Sequence, residues 1–229
     1  MLHKPTERPI AFSDAMAAAV RAGLQTQTRR KIKLPPYYPD EDLMVFARTY
    51  IDECPYGRVG DILWVRETWR PQSWTADFDC MVVEYRDGYT QRIDPFDVWD
   101  DSDAEGLWDQ LCLDCKAAGC YEDPDTGSLT LKTPEGLDPI EWQALGEMPY
   151  GLARTFTELT AVKPEYLQDI TEADAIAEGV VRVDGYSAID SFIALWDSII
   201  KNDPFDSNPC VWVLDFKILQ PFKILQTKP

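Results

Sequence analysis

Three cysteines stand close together in "CLDCKAAGC", at positions 112, 115 and 120. The Cys-x2-Cys opening formed by Cys112 and Cys115 is a spacing at which two thiolates reach one tetrahedral zinc from a tight turn. A closed site with Cys120 needs a fourth ligand. Cys54, Cys80, Cys210 or a carboxylate are the candidates, no second Cys-x2-Cys occurs, and free thiols are the competing reading. The single histidine, His3, lies in a terminus expected to be frayed, so Ser-His-Asp and Cys-His arrangements have no base to draw on. The acidic run from Asp97 to Asp109 offers the carboxylates that hard cations take, but without the ordered spacing of a calcium loop, and it reads as a solvated segment. Four arginines, Arg29, Arg30, Arg66 and Arg154, lie on or beside the segments with regular patterning. Their planar forks suit phosphates and base edges equally well as internal ion pairs, and both readings stand.

The chain of 229 residues has a net charge of −18, with 40 acidic against 22 basic residues. That excess opposes nonspecific attraction to phosphate backbones, so any nucleic-acid contact must be local. By itself it signals solubility. No run approaches the ~20 apolar residues of a membrane helix, and the first residues lack the layout of a secretory signal. The expectation is a cytoplasmic protein with reduced thiols and one elaborated domain over residues 1–229.

The elements that must position these residues follow from local patterning. Ser13 caps a helix from Asp14 to about Ala22, with Gly23 as its stop. Residues 31 to 53 open with three prolines in "KLPPYYPDED" and read as a surface excursion. Ile62 to Trp69 reads as one strand that sends Arg66 and Glu67 to opposite sides. "CMVVEYRDGYTQRI" reads as a hairpin with a type I′ turn at Asp87-Gly88. From Asp94 to Glu147 the chain is acidic and broken, and order there is the least expected. A strand from Arg154 to Val162 ends at Pro164. Thr171 with Asp174, and Ser187 with Asp190, open two helices through capping boxes, with Gly179 stopping the first. The second places Ile189, Phe192, Ile193, Trp196 and Ile200 at helical spacing, as core. A final strand puts Trp212, Leu214, Phe216 and Ile218 on one apolar face, and "FKILQ" then recurs after Pro221 in a tail, 220–229, expected to be loosely attached.

Four blocks in order, "RPIAFSDAMAAAVRAGLQTQTRR", "CPYGRVGDILWVRETW", "MPYGLARTFTELTAVKPEYLQDITEADAIAEGV" and "ALWDSI…DSNPCVWVLDFK", resemble the ASCH-domain proteins of phages and prophages. The resemblance implies an α+β protein with a PUA-like, mostly antiparallel β-barrel, flanking short helices, and variable insertions at about 31–53 and 71–147. It implies RNA, a modified nucleoside or a nucleotide as partner, with no required cofactor. If the chain is phage-encoded, its setting is the host cytoplasm.

Some proteins of this family are amidohydrolases that use Lys, Thr and Glu to remove the acetyl group of N4-acetylcytidine. Their Lys-x-x-Thr falls on Gln25 and Thr28, and their Glu on Glu178. Gln25 does not titrate, so the proton acceptor of that mechanism is missing. Binding survives this change more readily than turnover. Gln25, Thr26 and Thr28 can bond a base edge, Trp64 or Trp69 can stack on it, and Arg29, Arg30, Arg66 or Arg154 can neutralise a phosphate, with Glu67 nearby in sequence. A third expectation is a phage factor whose acidic surface, resembling nucleic acid, engages a basic host protein.

Overall fold

The computed structural model describes residues 4–33, 42–75, 80–122, 125, 129–130, 133 and 140–219. Its strands are β1 (Glu7–Ala11), β2 (Gln27–Lys31), β3 (Ile62–Arg66), β4 (Trp69–Trp74), β5 (Met81–Tyr85), β6 (Thr90–Ile93), β7 (Tyr121–Glu122), β8 (Leu129–Thr130), β9 (Phe156–Tyr166) and β10 (Cys210–Leu219). Its helices are α1 (Asp14–Arg21), α2 (Leu43–Thr49), α3 (Asp101–Ala118), α4 (Glu172–Ala177) and α5 (Ala188–Ile199). The protein is α+β. The described residues form two compact units, one comprising residues up to Ile10, Ala15–Val65 and from Arg154 onward, the other Ala11–Asp14 and Arg66–Ala153.

The first unit is built on a five-stranded sheet in the order β1-β3-β9-β10-β2, with β1 and β2 at the ends of the row. β10 is its central strand in packing terms. Val211, Trp212, Val213, Leu214 and Phe216 are all buried, so both faces are covered, and the expected single apolar face is corrected; Ile218, expected on that face, is exposed. The apolar residues of α5 account for one side: Phe192 and Trp196 pack with Val211, Val213, Leu167 and Ala175, and Ile189 and Ile200 close the margin. Both capping boxes are present, and Gly179 (φ 79°) ends the turn after α4.

Two local expectations are corrected in this unit, and one strand is added. The sequence "QTRRK", to which local patterning assigns no element, is strand β2, paired antiparallel with β10, Thr28 opposite Leu214 and Arg29 opposite Val213. β9 does not stop before Pro164 but runs through it to Tyr166, with Pro164 opposite Trp212. The Leu167 N–H donates to the Pro209 carbonyl. By antiparallel alternation Pro164 then falls at a position that owes β10 no hydrogen bond, so its missing N–H costs nothing there. Part of the stretch expected as a surface excursion is helix α2, because the Asp42 carboxylate accepts from the Met44 and Val45 N–H groups at 2.9 and 3.0 Å and Met44, Phe46 and Ala47 are buried. Residues 34–41, like the repeated tail segment 220–229, lie outside the described residues.

The second unit has its own five-stranded sheet, β6-β5-β4-β8-β7. The run expected as one strand, Ile62 to Trp69, breaks at Glu67 and Thr68, and Trp69 starts β4 in this sheet. β5 and β6 form the expected hairpin, but Asp87 does not have a positive φ. The Gly88 N–H donates to the Tyr85 carbonyl, Tyr85 N–H to Tyr89, and Gly88 alone is left-handed (φ 80°), which makes a three-residue loop with a glycine bulge rather than a type I′ turn. The acidic stretch expected to lack order holds the 18-residue helix α3. Asp100 caps it, Gly119 (φ 77°) ends it, and Ala104, Leu111 and Cys115 are buried along it, so a narrow apolar stripe sustains a helix whose other faces are acidic. Arg70 holds Glu84 at 2.7 and 2.9 Å and stacks on Trp142, as does Arg86, at 4.3 and 4.1 Å from the ring centre. No helix among the described residues is long and apolar enough to cross a membrane.

Candidate functional site

In the first unit, β2 and the end of α4 bring together more buried polar atoms than the fold can pair. Gln25, Gln27, Thr28, Arg29 and Glu178 are each at most 5% exposed. Backbone bonds hold Thr26 on both sides, its N–H donating to the Ala177 carbonyl at 2.8 Å and its carbonyl accepting from the Phe216 N–H of β10 at 2.9 Å. Gly179 leaves room for this approach, since a Cβ there would stand 2.9 Å from the Cβ of Gln25.

Arg29 is the hub. Its Nη1 donates to Glu178 Oε1 at 3.0 Å and to Gln27 Oε1 at 2.5 Å. Its Nη2 lies 3.5 Å from Glu165 Oε2 and 3.6 Å from Asp174 Oδ2, ion-pair distances without hydrogen-bond geometry, and its Nε has no acceptor among the described residues. The face of Phe192 lies 5.8 Å from the guanidinium carbon. Gln27 spends its amide on Asp174 and Asp215, and Lys163 pairs with Glu165. Thr28 Oγ1 and Gln25 Oε1 are buried and have no partner among the described residues. Most buried polar atoms in folded proteins are bonded, so the bare oxygens of Gln25 and Thr28 and the partly bare guanidinium of Arg29 mark this segment as one with unused recognition capacity.

Thr28, Arg29, Arg30, Lys31 and Glu178 line one cavity of about 70 Å³ with the apolar side of α5, including Phe192 and Trp196. The α5 residues expected only as core therefore serve also as a wall. At roughly 30 Å³ for a water's share of liquid volume, the space admits a small group or the edge of a base rather than a whole nucleoside. Burial pushes the Glu178 carboxyl up to about 7, against the pull of Arg29 and Arg30. Burial would also raise Asp174, but its bonds from Thr171 and Gln27 and the Arg29 charge hold it below the ordinary carboxylate range. Desolvation lowers the Arg30 guanidinium from its usual value, opposed by Tyr56 and Glu178. Lys31 Nζ reaches Asp203 Oδ2 at 2.5 Å.

The other expected site residues are distributed differently. Thr26 is exposed, and its backbone rather than its side chain joins the cluster. Trp64 is 7% exposed on β3, opposite Phe156, and is not part of the cavity wall. Arg154 precedes β9 and does not line the cavity. Arg66, Glu67 and Trp69 belong to the second unit, where the Glu67 N–H donates to Met148 Sδ at 3.0 Å. Gln27, Glu165 and Asp174, the further partners of Arg29, were not expected. Only the alternation of Gln27 with Arg29 along β2 hints at them.

Of the cysteines, Cys112 and Cys115 stand on α3 and Cys120 follows its glycine stop. Burial, with the Cys120 thiol close by, pushes the Cys115 thiol up to about 12. Among the described residues no group of three or more His, Cys, Asp or Glu side chains is placed to hold a metal ion. Comparison of the chain with protein-family models, curated proteins and solved structures finds no match.

Proposed function

We propose that the protein is a nucleotide- or nucleic-acid-binding module of ASCH type, its first unit a PUA-like barrel that receives the edge of one base in the cavity beside Thr28. The antiparallel run β3-β9-β10-β2 with the short helices α1, α4 and α5 supports the architecture. One observation carries the ligand assignment: Thr28, whose buried hydroxyl has no partner among the described residues, lines the same cavity as Arg29, a guanidinium already engaged by carboxylates. Three carboxylates near Arg29 leave it little charge to offer a phosphate, while its Nε, which has no acceptor among the described residues, and the Thr28 hydroxyl suit the mixed donors and acceptors of a base edge. Arg30 and Lys31 stand in the wall, Lys31 paired with Asp203, so the cations of this acidic chain are concentrated locally here.

A second reading, hydrolysis of an acylated nucleoside such as N4-acetylcytidine, draws on Thr28 and Glu178 sharing that cavity. In it the Thr28 hydroxyl attacks the acyl carbon, its proton passes to the Glu178 carboxylate and then to the leaving amine, and water cleaves the resulting ester. Gln25 supplies no base, which leaves Glu178 as the proton carrier.

Titration calorimetry with cytidine, N4-acetylcytidine and their 5′-monophosphates, with products followed by chromatography, separates the readings. Saturable nucleoside binding, weakened at least tenfold by Thr28→Val and without product, is the expected result. Acetate release lost in both Thr28→Val and Glu178→Gln establishes the second reading, and absence of saturable binding overturns both.

A further inference from the structure

We propose that the second unit holds a receptor site for the cationic side chain of a basic protein segment, where Trp69 and Trp99 wall a cavity rimmed by Asp103 and Glu147. This site is independent of the nucleoside reading, and either can fail alone.

The cavity measures about 430 Å³, within the range of pockets that take small ligands or inserted side chains. Strand β4 contributes Trp69 and Pro71. Helix α3 contributes Asp103, Leu107 and Leu111, four residues apart and so on one stripe, and Trp99 continues that spacing ahead of the helix. The third wall, Gln143 and Glu147, is anchored by the Gln143 N–H, which donates to the Trp69 carbonyl at 2.8 Å. All three belong to the second unit, so the cavity is complete within it.

The lining determines what fits. The rings of Trp69 and Trp99 are 6.0 Å apart and inclined at 41°, and tryptophan is the aromatic face that attracts a cation most strongly. Asp103 and Glu147 are exposed at the margin, and among the described residues no Lys or Arg lines the cavity. An apolar floor under an acidic rim suits a cation on an apolar stem, the form of arginine and lysine side chains. The position of the two carboxylates favours a protein-borne cation over a free one. Asp103 and Glu147 are exposed at the margin, where the backbone N–H groups of a peptide can donate to them while its side chain fills the cavity. An alkylguanidinium ion has no donors beyond its head group. The net charge of −18 and the acidic residues of α3 attract basic partners over a distance.

The indole N–H resonances of the ¹⁵N-labelled full chain, assigned with Trp69→Phe and Trp99→Phe, provide the test. Acetyl-Gly-Arg-Gly-amide should shift the Trp69 and Trp99 signals saturably, acetyl-Gly-Glu-Gly-amide should not, and butylguanidinium should bind at least tenfold more weakly than the arginine peptide. Asp103→Asn with Glu147→Gln, both exposed positions, should weaken the arginine peptide at least tenfold. No saturable shift, an equal response to the glutamate peptide, equal binding of butylguanidinium, or unchanged affinity in the double variant each overturns the proposal.

Discussion

The two units use charge in opposite ways. In the first, Arg29 has a side chain with no exposed surface, and the carboxylates of Glu165, Asp174 and Glu178 close around it from β9 and α4. In the second, Asp103 and Glu147 stand in solvent at the margin of an aromatic cavity. Buried charges depend on one another, because each leaves the others uncompensated if removed. Charges at a wet rim depend on water and act mainly on what approaches. A substitution in the first unit should therefore appear in stability, and one at the rim of the second in binding alone.

Arg29→Met is the strongest challenge to that contrast. It leaves the buried Glu178 carboxyl and the partly buried Glu165 and Asp174 carboxylates without their shared cation, and breaking such a cluster costs about 3–5 kcal/mol. Denaturant unfolding at pH 7 should show a loss of this size, smaller at pH 5 where Glu178 is protonated. A change below 1 kcal/mol would mean that the cluster is solvated and the contrast false.

Glu178 sharpens the same point through pH. Its folded carboxyl is raised from 4.5 to about 7, so the folded state holds more protons than the unfolded state between those values. Stability must then fall as pH rises from about 4.5 to 7. At about 1.4 kcal/mol for each tenfold difference in proton affinity the loss is on the order of 3 kcal/mol. Glu178→Gln should flatten this slope in unfolding curves across that range, and an unchanged slope would assign it to other groups.

How far the sequence reaches is clearest at this cluster. The two capping boxes and the glycine stops were legible because each is decided within a few residues. The helix α3 was missed because its acidic surface outweighed the narrow stripe of Ala104, Leu111 and Cys115 that sustains it. Pro164 was misread because whether a strand tolerates proline depends on which edge its nitrogen faces, and that is set by the partner strand. Thr28 and Glu178 were paired through resemblance to a family. Gln27, Glu165 and Asp174 had no such route, since they reach Arg29 from three elements that only the tertiary structure brings together.

Thr28→Val carries a smaller effect of opposite sign. Thr28 Oγ1 is buried without a partner among the described residues, and valine fills nearly the same space without the polar atom. Removing an unsatisfied hydroxyl should raise stability by about 1 kcal/mol. The same variant should lose nucleoside affinity, so a gain in thermal midpoint with a loss in calorimetric binding is the expected pair. A loss of stability would show that the hydroxyl has a structural partner, and the recognition assigned to it would fall.

The smallest effect belongs to the rim of the second unit. Asp103 and Glu147 are exposed, so neutralising them with Asp103→Asn and Glu147→Gln removes no buried partner. Surface substitutions of this kind change stability by no more than about 0.5 kcal/mol. Thermal unfolding of the double variant should therefore match the parent while its response to the arginine peptide is lost. If the two changes instead destabilise the chain by more than 1 kcal/mol, the carboxylates are structural, and the contrast between a unit that spends charge on its fold and one that keeps it for a partner collapses.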